Sequence, residues 1–211
     1  KRYDMVMLTL AVGAIITLLT SYASDKDHDG LDDYWESTNS SYGCSATRAD
    51  MIVVCYSPSG KVLTDLGVEQ KLCDRVYSSV GYNLDGSTGV RISWVRGGMY
   101  TGEEGEMSLG DFYKRKISNK LRGKAYVLRL GDEKGTGGQS DGYYPIAGCS
   151  YDAQTMAHEL GHLLGLEHAP FGMESGQSPL YTSIMSYEFM PRFNGSATNV
   201  HFSSGKFASV N

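Results

Sequence analysis

The chain has little histidine, little proline and no clustered positive charge. Its 211 residues include five histidines, five prolines, four cysteines and two tryptophans. Lysine and arginine number 19 against 24 acids, a net charge of −5. Nucleic-acid binders neutralise phosphates with grouped Lys and Arg, so the absence of a basic patch excludes that class of partner. No internal repeat or low-complexity tract appears, which excludes fibrous and array architectures. The main apolar run, Met5–Thr20, spans sixteen residues, short of the about 20 that a helix needs to cross a bilayer. No cysteines form a C-x-x-C pair, so a cysteine metal site is not expected. What remains is an ordinary globular composition, 41% hydrophobic and 20% charged, enough for one domain with a sizeable core.

Lys1 and Arg2 precede the apolar run, and Ser21 and Ala23 are small residues where a signal peptidase would read the chain. Residues 1–23 therefore read as a secretory signal, with an uncleaved signal anchor as the alternative. The mature protein is expected outside the cell, or held at its surface and in contact with a membrane only if that segment is retained. In that compartment Cys44, Cys55, Cys73 and Cys149 predict two disulfides, with three pairings open.

Directly after the signal lies Asp25-Lys26-Asp27-His28-Asp29-Gly30-Leu31-Asp32-Asp33-Tyr34-Trp35-Glu36. Its acids fall at positions 1, 3, 5, 9 and 12 with glycine at 6. A twelve-residue calcium loop uses this spacing to bring carboxylates and one backbone carbonyl around a single ion. The expected ligands are Asp25, Asp27, Asp29, the Leu31 carbonyl, Asp33 and Glu36. Six acids and one lysine in twelve residues place most of the chain's negative charge here. A solvated acidic linker would need neither the glycine nor the apolar Leu31, Tyr34 and Trp35. Residues 24–48 are thus expected to form a calcium-binding segment, holding one structural ion, ahead of a catalytic domain over 49–211.

Three of the five histidines lie within eleven residues, in His158-Glu159-Leu160-Gly161-His162-Leu163-Leu164-Gly165-Leu166-Glu167-His168. On a helix, His158 and His162 leave one face a turn apart and can grip one metal ion, with Glu159 beside it. A catalytic zinc keeps three protein ligands and an open fourth position, and His168 is the third. A straight helix would carry His168 away from the ion, so the chain must turn back at Gly165, the residue that takes a left-handed conformation cheaply. The competing reading is a buried amphipathic helix packed through Met156, Leu160, Leu163 and Leu164. It does not account for Glu159 and Gly165.

The pattern HExxHxxGxxH resembles that of the metzincin zinc endopeptidases. So does Ser183-Ile184-Met185-Ser186-Tyr187, which is similar to their methionine-containing turn. Thr155-Met156-Ala157 and the leucine-rich helix look most like the adamalysin branch, the Met185 turn more like the serralysins and astacins, so the subfamily stays open. The resemblance spans roughly Asp50 to Phe202. It implies one catalytic zinc on His158, His162 and His168, Met185 as an apolar floor beneath them, and Tyr187 as a residue that reaches the metal. It also implies a C-terminal helix beyond Asn211.

The coarse order of elements, β-α-β-α-β followed by the histidine helix, agrees with an α/β fold, α+β in stricter usage; the resemblance implies the zincin/metzincin-like form of it, a twisted mixed sheet with a backing helix, an active-site helix and an irregular C-terminal subdomain. Asp50–Tyr56 is a continuous apolar run, a strand buried on both faces. Lys61–Val80 carries Leu63, Leu66, Cys73, Val76 and Val80 at helical spacing. Val90, Ile92 and Trp94 alternate with polar residues in a second strand. Ser108 to Asp111 has the form of a capping box opening a helix to about Leu121. Ala125–Leu130 is a third strand. Gly131–Gly142, with its many glycines, reads as a surface loop. Tyr143–Gly148 corresponds to the edge strand on which the family binds substrate, as an added extended strand.

The function expected is a secreted zinc-dependent endopeptidase acting on a protein or peptide, as a monomer. Zinc would activate water, Glu159 would act as general base and then acid, and Tyr187 would stabilise the oxyanion. The alternative is an inactive calcium- and zinc-binding adhesion or interaction module. The retained Glu159 speaks against it.

Overall fold

The computed structural model describes residues 24–58, 67–78, 82–131, 137–168 and 185. The signal segment, residues 61–66, Tyr187 and the expected C-terminal subdomain lie outside the described residues. Within them the elements run α1 (Asp33–Thr38), a 3-10 turn (Ser40–Tyr42), β1 (Asp50–Pro58), α2 (Gly67–Tyr77) and β2 (Arg91–Tyr100). They continue with α3 (Gly102–Gly105), α4 (Leu109–Lys116), β3 (Tyr126–Leu130), β4 (Gly138–Ser140), β5 (Ile146–Cys149) and α5 (Ala153–Leu163). None of these helices is long and apolar enough to cross a membrane.

Five strands form one mixed sheet in the order β2-β1-β3-β5-β4. β1 pairs parallel with β2 and β3, and β3 pairs parallel with β5. Parallel neighbours require crossovers, and the chain between them supplies α2 after β1, then α3 and α4 after β2. β4 alone runs antiparallel, on β5, and forms one edge. A mixed sheet with helices packed on both faces places the chain in the α/β class.

Side chains alternate across the sheet. Met51, Val53 and Cys55 of β1 share one face with Leu128, Leu130, Ala147 and Cys149. That face packs on Cys73, Val76 and Tyr77 of α2 and on Met156, Ala157 and Leu160 of α5. The Tyr77 hydroxyl donates to the Ala157 carbonyl at 3.0 Å, tying the two helices together. Ile52, Val54, Tyr56, Val127 and Ile146 face the other way, onto Leu109, Phe112 and Tyr113 of α4. Phe112 is fully buried and meets Tyr56 and Tyr100 edge to face at 5.3 and 5.5 Å. Truncating it to alanine is the single change that should most weaken this layer, by about 3–5 kcal/mol.

Four expectations are corrected. The helix opened by Ser108 ends at Lys116, because Ile117 turns to extended backbone (φ −70°, ψ 130°). The glycine-rich stretch is not merely a loop: Gly138–Ser140 forms β4, the sheet edge. The Tyr143–Gly148 segment is therefore not the edge, since its strand, β5, lies between β3 and β4. Gly-Gln-Ser carries no strand propensity, so only its ladder to Ala147–Cys149 makes it a strand.

The fourth correction concerns the cysteines. All four are buried free thiols and no disulfide joins them. Cys55, Cys73 and Cys149 lie in the core beneath α2 and α5, whereas Cys44 belongs to the core on the opposite face of the sheet. Cys44 thus belongs to a different core from the other three, and the two expected disulfides are not seen.

Candidate metal centres

α5 is held at both ends by its own sequence. Asp152 caps its start, its carboxylate accepting the Thr155 amide at 2.7 Å, which satisfies one of the orphan donors of the first turn. At its end the Leu166 amide donates to the Gly161 carbonyl at 3.0 Å and the Gly165 amide to His162 at 2.9 Å. With Gly165 at φ +82°, this is the paired-bond left-handed termination that glycine favours. The chain is thereby folded back over the last turn of the helix.

That reversal brings three imidazoles together. His158 Nε2 stands 3.1 Å from His162 Nε2 and 3.1 Å from His168 Nε2, and the last two are 2.8 Å apart. Three nitrogens at these separations cannot all be satisfied by hydrogen bonds to one another. They fit a shared metal: a tetrahedral zinc with bonds of about 2.0–2.1 Å holds its nitrogens about 3.3 Å apart. The tautomer of His162 agrees, because the Leu166 carbonyl, 2.8 Å from Nδ1, can only accept a proton. Nδ1 therefore donates, and Nε2 carries the lone pair a metal needs. Burial and the neighbouring His162 lower the pKa of His168, favouring its neutral, ligating form.

Glu159, next to His158 on α5, is 4% exposed and its Oε2 has no hydrogen-bond partner. Burial pushes its carboxyl up to about 7, a value suited to proton transfer near neutral pH. The backbone of β4 passes against it. A Cβ built on Gly138 would overlap Oε1 and come within 2.6 Å of both Cδ and Cγ. Met185 is completely buried in the cluster that contains Met156, Ala157 and Leu160 of α5.

The acidic loop gathers a second constellation. Oxygens of Asp25, Asp27 and Asp29 lie within 4.8 Å of one another, and so do those of Asp29, Glu36 and Asp50. Gly30, at φ +90°, donates its amide to Asp25 at 3.1 Å. Leu31 is buried in the core, with its amide on Asp29 at 2.7 Å. Glu36 is 1% exposed, yet both of its carboxylate oxygens lack a partner, as do both of Asp27 and one of Asp25. Burial, then Asp29, Asp27 and Asp50, push Glu36 up to about 8. Burial and Asp29 raise Asp27 to about 6. Buried carboxylates without donors are costly, and a divalent cation is the species that fits five such oxygens. Asp33 is turned elsewhere, accepting from Lys26 N at 3.1 Å, Ser24 Oγ at 2.7 Å and Lys26 Nζ at 3.0 Å.

No protein-family model matches the chain, and no curated protein aligns with it significantly. Three contributors escaped the sequence reading. Gly138 sits in a run of glycines with nothing to single it out. Asp50 reads only as the first residue of an apolar strand, and the Leu166 carbonyl is backbone.

Proposed function

We propose that the chain is a secreted zinc-dependent endopeptidase of the metzincin type. The observation that carries the reading is the convergence of His158, His162 and His168 Nε2 within 3.1 Å, with the buried carboxyl of Glu159 on the same helix. A structural histidine cluster would have no use for a desolvated acid beside it. The mixed sheet and the burial of Met185 in the core beneath α5 are consistent with the reading.

Zinc, held by the three histidines, would polarise the scissile carbonyl and bring an attacking water within reach of deprotonation near neutral pH. Glu159 accepts that water's proton and delivers it to the leaving amine nitrogen, a role its raised pKa suits. Leu166 fixes the tautomer of His162 and so the direction of its lone pair. Tyr187, outside the described residues, is the proposed hydrogen-bond donor to the developing oxyanion. The substrate enters extended alongside β4, the end strand of the sheet among the described residues, as an added strand. The loop at Asp25–Glu36 holds a structural calcium ion.

The test is cleavage of an unfolded protein by the full chain with zinc and calcium, beside Glu159→Ala. Cleavage by the wild type alone is expected. A folded, zinc-loaded wild type that cuts nothing would instead favour the inactive binding module.

A further inference from the structure

The calcium loop does not close on itself. By spacing alone Asp33, at position 9, belongs to the ion's surroundings, but among the described residues neither cluster of convergent acid oxygens includes it, and it accepts instead from Ser24 and Lys26. The acid brought to Glu36 and Asp29 is instead Asp50, the first residue of β1. Ligands of one calcium ion, at about 2.3–2.6 Å each, lie up to about 5 Å apart, so the 4.8 Å limit on Asp29, Glu36 and Asp50 oxygens fits one ion.

Two further features bind this acid to the site. Asp29 Oδ2 accepts the Asp50 amide at 2.7 Å, so a carboxylate of the loop also pins the start of the strand. Asp50 is 3% exposed and is oriented by Ser45 N at 2.7 Å and by Arg48, Nε at 3.2 Å and Nη2 at 3.1 Å. Outer donors of this kind commonly fix a ligating carboxylate. Glu36, fully buried with both oxygens lacking a partner, needs the cation most.

We propose that Asp50 takes the place of Asp33 in the calcium site, so that the ion bridges the N-terminal loop and β1, an interior parallel strand of the sheet. Calcium then braces the domain rather than the loop alone. β1 is hydrogen-bonded on both sides, to β2 and β3, so an ion anchored on its first residue is coupled to the unfolding of the whole sheet. The inference rests on the calcium reading of the loop and is independent of the peptidase reading.

The test is calcium titration of the metal-free full chain by calorimetry, with the thermal midpoint followed alongside, for wild type, Asp50→Asn and Asp33→Asn. Asp50→Asn is expected to weaken calcium binding by about 10-fold or more and to erase most of the calcium-induced rise in midpoint. Asp33→Asn is expected to change binding less than about 3-fold. The reverse ranking would overturn the assignment, and no calcium binding by the wild type would overturn the calcium reading with it. Should Asp50→Asn fail to fold, crystals of the wild type grown with calcium decide. An Asp50 oxygen within about 2.3–2.6 Å of the anomalous calcium peak supports the proposal, and any longer distance sinks it.

Discussion

Gly138, on the edge strand, and Glu159, on the helix that carries His158 and His162, are packed so closely that no side chain larger than hydrogen fits between them. The contact involves Cγ and Cδ as well as the carboxyl tip, and Glu159 is buried. The acid cannot swing away into solvent, so the strand fixes its position.

Gly138→Ala should therefore displace the carboxyl by a sizeable fraction of an ångström. Misplacement on this scale costs about 10–100-fold in rate. The expected result is a kcat for cleavage of an unfolded protein lowered by that factor, with zinc content unchanged. Full activity in a folded Gly138→Ala protein would show that Glu159 tolerates movement and is not the proton carrier proposed.

Gly165→Ala places a Cβ at φ +82°, at a cost of about 1–2 kcal/mol. It also loosens the reversal that supplies His168 and the Leu166 carbonyl. Zinc affinity, measured by competition with a chromophoric chelator, should fall by about 10–100-fold, with a lowered thermal midpoint. A loss of stability without loss of zinc affinity would separate the glycine from the metal site.

Without calcium, the acidic loop should make the protein less stable as pH rises. The folded-state pKa values of Asp27, about 6, and Glu36, about 8, lie above the unfolded carboxylate values near 4. Between those limits the folded state binds more protons than the unfolded, so stability falls with pH across that window. In chelator, the thermal midpoint is expected to drop from pH 5 to pH 8.5, and saturating calcium should flatten or reverse the slope. A midpoint in chelator that holds steady across this range would mean the loop acids are not crowded as described.

Four free, buried thiols make a counting prediction. The native protein should react negligibly with a thiol reagent, whereas the unfolded, unreduced protein should release four equivalents. Two equivalents or fewer would revive a disulfide.

Truncating Tyr77 to phenylalanine removes the hydroxyl that donates to Ala157, leaving a buried carbonyl with one bond fewer. A loss of about 1–2 kcal/mol in denaturant unfolding is expected. The effect should reach the histidine triad only as altered stability, since the bond ends on the Ala157 carbonyl and not on His158.

Local chemistry was legible in the sequence wherever periodicity or a turn residue set it. The spacing of His158 and His162 follows from 3.6 residues per turn, the reversal at Gly165 from the cost of positive φ for other residues, and the β1 run from its unbroken apolar character. The spacing of Asp25, Asp27 and Asp29 around Gly30 was likewise readable, because a twelve-residue loop is a local object. What required tertiary structure were the partners contributed from afar. β4 exists because β5 offers it a ladder, and Gly138 matters because α5 packs beneath it. Asp50 joins Glu36, and Asp33 leaves, because β1 starts against the loop. Cys44 falls in a different core from the other thiols because the two faces of the sheet are packed separately. Each is a pairing of segments remote in sequence, decided by packing free energy that no window of neighbouring residues contains.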